Sequence, residues 1–267
     1  MPPRSIFTLT QSAVVASLLS LLSACASAPE TGRSQILLVD QAQEARLGYQ
    51  TFEAMKQKTP VSHNNAQTQQ LRRVGHRIAA VAQLPNAQWE FVLFDDKSAN
   101  AFALPGGKVG VYTGILPITQ NEAGLATVIG HEVAHAVARH GAERMSQAIL
   151  IQVGGSALSA ALGSSGQLTK ELAMQAYGLG TTIGVSLPYS RTQELEADHL
   201  GLLYMARAGY DPREAVAFWR RFEAYGQKKR GKPPEFLSTH PMDDRRIAQL
   251  ERLLPKTLAE YDRKRQR

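Results

Sequence analysis

Apolar residues recur at helical spacing along most of the chain and alternate in only one short region. Leu71, Val74, Ile78 and Val81 line one face of a helix. Leu125, Val128, Ile129, Val133 and Val137 give a broader apolar face, which predicts a largely buried helix over Asn121–Met145. Asn121 can cap it, and Glu122 suits its positive end. Asp40 caps a helix predicted over Gln41–Lys58. Further helices are predicted over Arg191–Ala208, from Asp211-Pro212 to Tyr225, and after Pro241, where Ile247, Leu250 and Leu253 share a face. Alternation marks Gln88–Phe94 as a strand. Asn100–Gly107 and Lys108–Thr113 read as two short strands around a Pro-Gly-Gly turn. Pro and Gly beside a strand mark a sheet edge, to which an extended peptide can add by backbone hydrogen bonds. Asn100, Ala101, Phe102 and Ala103 are therefore candidate substrate-binding residues.

The two ends and one internal stretch break this pattern. Residues 1–24 carry Arg4, a short apolar run from Ala13 to Leu22, and then Leu22-Ser23-Ala24-Cys25. The run is too short for a comfortable membrane span and reads as an export signal. The last four residues resemble the bacterial lipobox, which implies cleavage before Cys25 and lipid on that cysteine. Ala26, rather than Asp, then points to the outer membrane. Residues 26–40 read as a tether. Residues 147–184 are rich in Ala, Gly and Ser, with Gly154-Gly155 and Gly163–Gly166 expected to split them into helical pieces that form a loosely packed pair or a lid over the site. Residues 255–267 are expected to be a disordered basic tail, leaving 41–254 as one domain.

Composition narrows the picture modestly. The formal charge is +7, but residues 226–267 contribute 12 Lys/Arg against 6 Asp/Glu, and residues 25–225 balance at 17 of each. The basic excess is thus C-terminal, and no aromatic-interleaved basic patch supports nucleic-acid binding. One cysteine, Cys25, excludes an intramolecular disulfide.

The chemistry resides in His131-Glu132-Val133-Ala134-His135. Positions i and i+4 of a helix share a face, so both imidazoles can meet one ion while Glu132 sits beside it. Two imidazoles and a third carboxylate ligand leave zinc one open position, where a water becomes acidic and Glu132 can take its proton. The predicted 191–208 helix carries Glu194-Leu195-Glu196-Ala197-Asp198. Glu194 can be the third ligand, and Asp198, one turn on, can accept the free N–H of a ligand imidazole. Glu196 lies about 200° around the helix from Glu194 and faces away. His76 and His199 read as non-ligands.

Together these residues resemble the M48 family of zinc metallopeptidases, including Oma1-like and bacterial periplasmic lipoprotein members. Four motifs carry the resemblance in order: Asn100–Gly107, His131–His135, Glu194–Asp198, and Ser238-Thr239-His240-Pro241 followed by Arg246-Ile247. The resemblance implies a gluzincin-type α+β fold, mainly helical, with a small sheet beside the zinc-binding helix. It implies endopeptidase activity with one zinc bound by His131, His135 and Glu194, and with Glu132 as general base and then proton donor. It also implies a role for His240, which either stabilises the oxyanion or binds the metal in a latent enzyme. The expected substrates are unfolded or misassembled envelope proteins, at the periplasmic face of the outer membrane. The competing expectation is a latent metallopeptidase acting mainly as a chaperone or assembly factor beside the outer-membrane assembly machinery. A zinc hydrolase of another bond, such as an ester, lacks a supporting motif.

Overall fold

A computed structural model describes residues 25–161, 189–228 and 234–266. A small hairpin opens it, β1 (Cys25–Ser27) antiparallel to β2 (Ser34–Ile36). Helix α1 (Gln41–Lys58) follows, with the Asp40 carboxylate accepting from the Ala42 and Gln43 amides. Helix α2 (Asn65–Ala79) buries Leu71, Val74 and Ile78. Then come β3 (Glu90–Phe94), β4 (Ala101–Leu104) and β5 (Lys108–Tyr112), in spatial order β3-β5-β4. β5 is parallel to β3 and antiparallel to β4, so β4 is an edge strand.

Both faces of this sheet are buried, which explains why its strands are apolar at nearly every position. Phe91, Leu93, Ala101, Ala103, Val109 and Val111 face the main core. Val92, Phe94, Phe102, Leu104 and Tyr112 face the opposite way, joining Phe52 of α1 in a second cluster.

After a 3₁₀ turn and the one-turn helix α3 (Leu116–Thr119), α4 (Glu122–Val137) runs through the middle of the domain. α2, β4, α6 (Arg191–Arg207) and α7 (Arg213–Lys228) all pack on it. The tightest approach is between α4 and α6. A Cβ on Gly130 would lie 3.0 Å from the Gly201 carbonyl oxygen, and one on Gly201 would lie 2.9 Å from the His131 amide nitrogen. Only glycine lets two helix backbones meet this closely. The chain ends with α8 (Glu235–Thr239) and α9 (Asp244–Arg265). Among the described residues no helix is long and apolar enough to cross a membrane.

The mainly helical α+β architecture is as expected, but four details differ. The helix predicted over Asn121–Met145 is two helices: α4 ends at Val137, Arg139 takes a left-handed conformation (φ 58°), and α5 (His140–Ala161) begins. α5 passes through Gly154 and Gly155 without breaking, while the rest of the expected lid lies outside the described residues. Residues 25–36 are not a free tether but a hairpin with Ala28 buried in the main core. The expected disordered tail is helical to Arg265, because the apolar face that includes Leu250, Leu253 and Leu254 continues past Pro255 to the buried Thr257.

Candidate metal centre

Three segments converge on one buried point. α4 supplies His131, Glu132 and His135; α6 supplies Glu194 and Asp198; the residue that ends α8 is His240. Asn121 caps α4 through the Gly124 amide, and Ser190 with Gln193 forms a capping box that starts α6 with Glu194 in its first turn. One donor atom from each of His131, His135, Glu194 and His240 lies within 4.8 Å of all the others. His131 Nε2 is 3.1 Å from His135 Nε2 and 3.2 Å from His240 Nδ1. Glu194 Oε1 is 3.4 Å from His135 Nε2 and 3.0 Å from His240 Nδ1.

Imidazole nitrogens crowded round one point and away from solvent need a cation to face. The electrostatics agree. Burial opposes charge on His131, yet the Asp198 and Glu194 carboxylates lift its pKa to about 9, so the pocket attracts positive charge. Burial also pushes the Glu194 carboxyl up, but Arg246, His240 and His131 outweigh it and hold it well below the usual range, ready as an anionic ligand. His135 is driven well down, first by burial, which keeps its imidazole neutral. Three imidazoles and one carboxylate fit a divalent metal with nitrogen and oxygen ligands.

Glu132 stands beside this cluster rather than in it. Its Oε1 is buried without a hydrogen-bond partner and lies 3.4 Å from His240 Nε2. Burial is the main cause of its raised pKa, which His240 and His131 partly counter. It faces β4. The Tyr112 amide donates to the Asn100 carbonyl, so in the antiparallel ladder residues 100, 102 and 104 turn their backbone groups to β5, while Ala101 and Ala103 turn theirs outward. The Ala103 amide points toward the Glu132 carboxylate. Of the four candidate strand residues, Ala101 and Ala103 therefore turn their backbone groups away from β5, the Ala101 amide to the Asn100 side chain and the Ala103 amide to Glu132. The Phe102 side chain packs with Phe52 instead, and the Asn100 side chain accepts from the Ala101 amide.

The clustered side chains are held from behind. His131 Nδ1 lies 3.0 Å from Asp198 Oδ1. Arg246 grips Asp198 through Nε and Nη2, both at 2.7 Å, and reaches Glu194 Oε2 with Nη1 at 2.6 Å. Its guanidinium stacks 4.2 Å from the Trp219 ring, which itself meets the His131 ring edge-on at 5.3 Å. The Tyr189 ring lies 3.9 Å from that of His135, with the Arg144 guanidinium 4.2 Å behind it.

His135 Nδ1 faces His140 Nδ1 at 2.8 Å, and His140 Nε2 faces Glu196 Oε2 at 2.9 Å. His140 and Tyr189 were not found from the sequence, and Arg246 only as part of a motif. Glu196 does point away from the cluster, as its helical position required, but into this buried chain rather than to solvent. His76 is exposed at the edge of Phe91, away from the site.

Comparison with known proteins agrees with this reading. The model of peptidase family M48 matches residues 65–254. The mitochondrial metalloendopeptidase OMA1 of Schizosaccharomyces pombe is 42% identical over 183 residues, covering 68% of this chain and 52% of that protein. The mitochondrial metalloendopeptidase OMA1 of Saccharomyces cerevisiae is 33% identical over 254 residues, 88% of this chain and 70% of that protein. The beta-barrel assembly-enhancing protease of Escherichia coli K12 is 27% identical over 227 residues, covering 82% and 45%. The chain thus spans about half the length of the first and third of these relatives. It belongs to peptidase family M48.

Proposed function

From membership of family M48, we propose that the chain is a zinc-dependent endopeptidase whose zinc is held by His131, His135 and Glu194. The observation that carries this is the buried Glu132 carboxylate, set between the donor cluster and the β4 backbone at Ala103, with its Oε1 left without a hydrogen-bond donor. When bound, zinc supplies the Lewis acid that polarises a scissile carbonyl and acidifies water. The protein's own groups do the rest. Ala101 and Ala103 turn their carbonyls outward, where they can accept from an extended peptide and lay it beside Glu132. Glu132 takes the proton of the attacking water and passes it to the leaving nitrogen, a role its burial-raised basicity favours.

The test is zinc content together with cleavage of an unfolded protein, for the unmutated chain and Glu132→Gln. Stoichiometric zinc in both, with activity only in the unmutated chain, is the expected outcome. Undiminished activity in Glu132→Gln refutes the assignment.

A second reading, of a latent enzyme, is favoured by one distance. His240 Nδ1 lies 3.2 Å from His131 Nε2, among the donors, where it can occupy the fourth metal position that water needs. On this reading His240→Ala opens that position and raises basal cleavage. If His240 instead stabilises the oxyanion, the same change lowers it.

The lipid anchor and the physiological role are further parts of the proposal. Leu22-Ser23-Ala24-Cys25 and the exposure of Cys25 support acylation there. Misfolded or misassembled envelope proteins are the proposed substrates, supported by a relative described as a beta-barrel assembly-enhancing protease. A chaperone-like activity of the latent form, beside the assembly machinery, is the alternative. Mass spectrometry of the purified full chain tests acylation, and a Cys25→Ala chain that still carries lipid refutes the site.

A further inference from the structure

We propose that His140, Glu196 and Arg33 form a positioning relay for the ligand His135, which makes the N-terminal hairpin a working part of the metal site. The inference rests on the reading of His135 as a metal ligand, and its geometry is independent of the peptide-cleaving step.

The proton positions follow from the contacts. His135 Nε2 faces the donor cluster, so as a ligand it must present a lone pair there. Its proton is then on Nδ1, 2.8 Å from His140 Nδ1. His140 must accept at that atom, so its own proton is on Nε2, 2.9 Å from Glu196 Oε2. A carboxylate only accepts, so this last step closes the chain. One assignment satisfies every atom, and it fixes both the tautomer and the ring orientation of His135. Truncating His140 leaves the His135 N–H buried without an acceptor, and only ring packing, chiefly against Tyr189, then bears on the orientation of the imidazole.

The backbone is shaped to bring His140 there. On an uninterrupted helix, residue 140 would sit about 140° round from residue 135. Instead α4 stops, and Arg139 reverses the chain at φ 58°. Arg139 is anchored in that conformation by Glu44 Oε2, at 2.8 Å from Nε and 2.6 Å from Nη2. A non-glycine residue in this region is strained, and the Glu44 contact holds the strain in place.

Glu196 is anchored in turn by the hairpin. Arg33 Nε and the Thr31 hydroxyl both donate to it. The Arg33 fork then closes bidentately on Glu143, at 2.8 Å for each arm. Gln193 Nε2 donates to Glu143 Oε2 at 2.7 Å. With His140, Arg33 and Thr31 on its two oxygens, Glu196 is held as an acceptor, and one of the groups it holds is His140. Arg33 lies in the turn of the β1–β2 hairpin, far in sequence from α4, yet only His140 and Glu196 stand between it and His135.

The test measures zinc affinity of the full chain by competition with a chromophoric chelator, for Arg33→Gln, His140→Phe, Glu196→Gln and the unmutated protein. Loss of a group that orients a ligand costs about 10–100-fold in metal affinity. Arg33→Gln and His140→Phe are expected to lose that much, and Glu196→Gln less, because its amide oxygen still accepts from His140. The imidazole Nδ1–H proton of His135, followed by NMR of the zinc-loaded ¹⁵N-histidine protein, is expected to be protected from exchange in the unmutated chain and to exchange quickly in His140→Phe.

Arg207→Gln is the control. It breaks the ion pair of Arg207 with Glu30, which also tethers the hairpin, but leaves the relay intact. It is expected to bind zinc as the unmutated chain does. Equal loss in Arg207→Gln and Arg33→Gln overturns the relay in favour of a general clamp on the hairpin. Unchanged affinity in His140→Phe also overturns it. An unmutated chain that binds no zinc refutes the metal reading itself, a result distinct from either of these.

Discussion

Arg246 is the residue whose loss should be felt most. It is 1% exposed and touches both carboxylates of α6 that serve the metal centre. It meets Asp198 at 2.7 Å twice and Glu194 at 2.6 Å, and its guanidinium also reaches the His240 and Pro241 carbonyls at 3.4 and 3.1 Å and the Trp219 ring. Arg246→Met keeps much of the stem's packing but leaves two buried carboxylates one helical turn apart without the guanidinium that bridges them. Breaking a buried pair in this way costs about 3–5 kcal/mol. For a domain of this size that is a fall of about 10 °C in melting temperature. Arg246→Lys keeps the charge but not the fork that spans two carboxylates, and should lose about 2 kcal/mol, near the worth of one charged hydrogen bond. Chemical denaturation in excess chelator is the assay, because metal would partly replace the missing charge. Asp198→Asn provides the internal check. If the cost comes from stranded charge, the double variant Arg246→Met/Asp198→Asn should be at least about 1 kcal/mol more stable than the sum of the singles predicts. Strict additivity, or a cost for Arg246→Met below about 1 kcal/mol, would show that Arg246 acts by stacking on Trp219 and that the charge argument is wrong.

Three other outcomes follow from the same geometry. Gly201→Ala puts a methyl 2.9 Å from the His131 amide nitrogen, so it should force α4 and α6 apart, costing about 1–3 kcal/mol and weakening zinc binding together; a variant with unchanged melting and affinity contradicts the close-packing account. Chelation should lower the melting temperature of the unmutated chain, since a metal at about 1,000 times its dissociation constant adds about 4 kcal/mol; equal melting with and without chelator argues against a site preformed in the fold. Ala103→Pro removes the outward amide that bonds Glu132 but no bond to β5, so it should reduce kcat/KM about tenfold or more with zinc content unchanged; full activity would exclude a role for that amide in holding Glu132.

The clustered donors were legible in the sequence because the physics that places them is local. His131 and His135 are one turn apart on α4, and Glu194 and Asp198 are one turn apart on α6. The cap at Asp40 and the turn between β4 and β5 were legible for the same reason. What supports the ligands was not, because each support arrives from a distant segment or through a break in periodicity. Arg246 comes from α9 and reads there as one of two adjacent arginines on an amphipathic helix; nothing in the spacing says that one is buried and the other is not. His140 was hidden by the assumption that an apolar helical pattern continues. Alanine at 136, 138 and 142 suits a helix, and only the left-handed Arg139, held by Glu44 95 positions earlier, turns the chain. The hairpin was misread for a related reason. Ser, Thr, Pro and Gly at 27–34 have the composition of a linker, while the groups that fasten it, Glu143, Glu196, Tyr204 and Arg207, lie more than a hundred residues away. Glu196 shows the limit most clearly. Its angle on the helix correctly excluded it from the metal, but angle alone cannot distinguish solvent from a buried partner. A carboxylate that is 7% exposed on the far face of a ligand-bearing helix calls for a donor, and here the donors link the N-terminal hairpin to the metal centre.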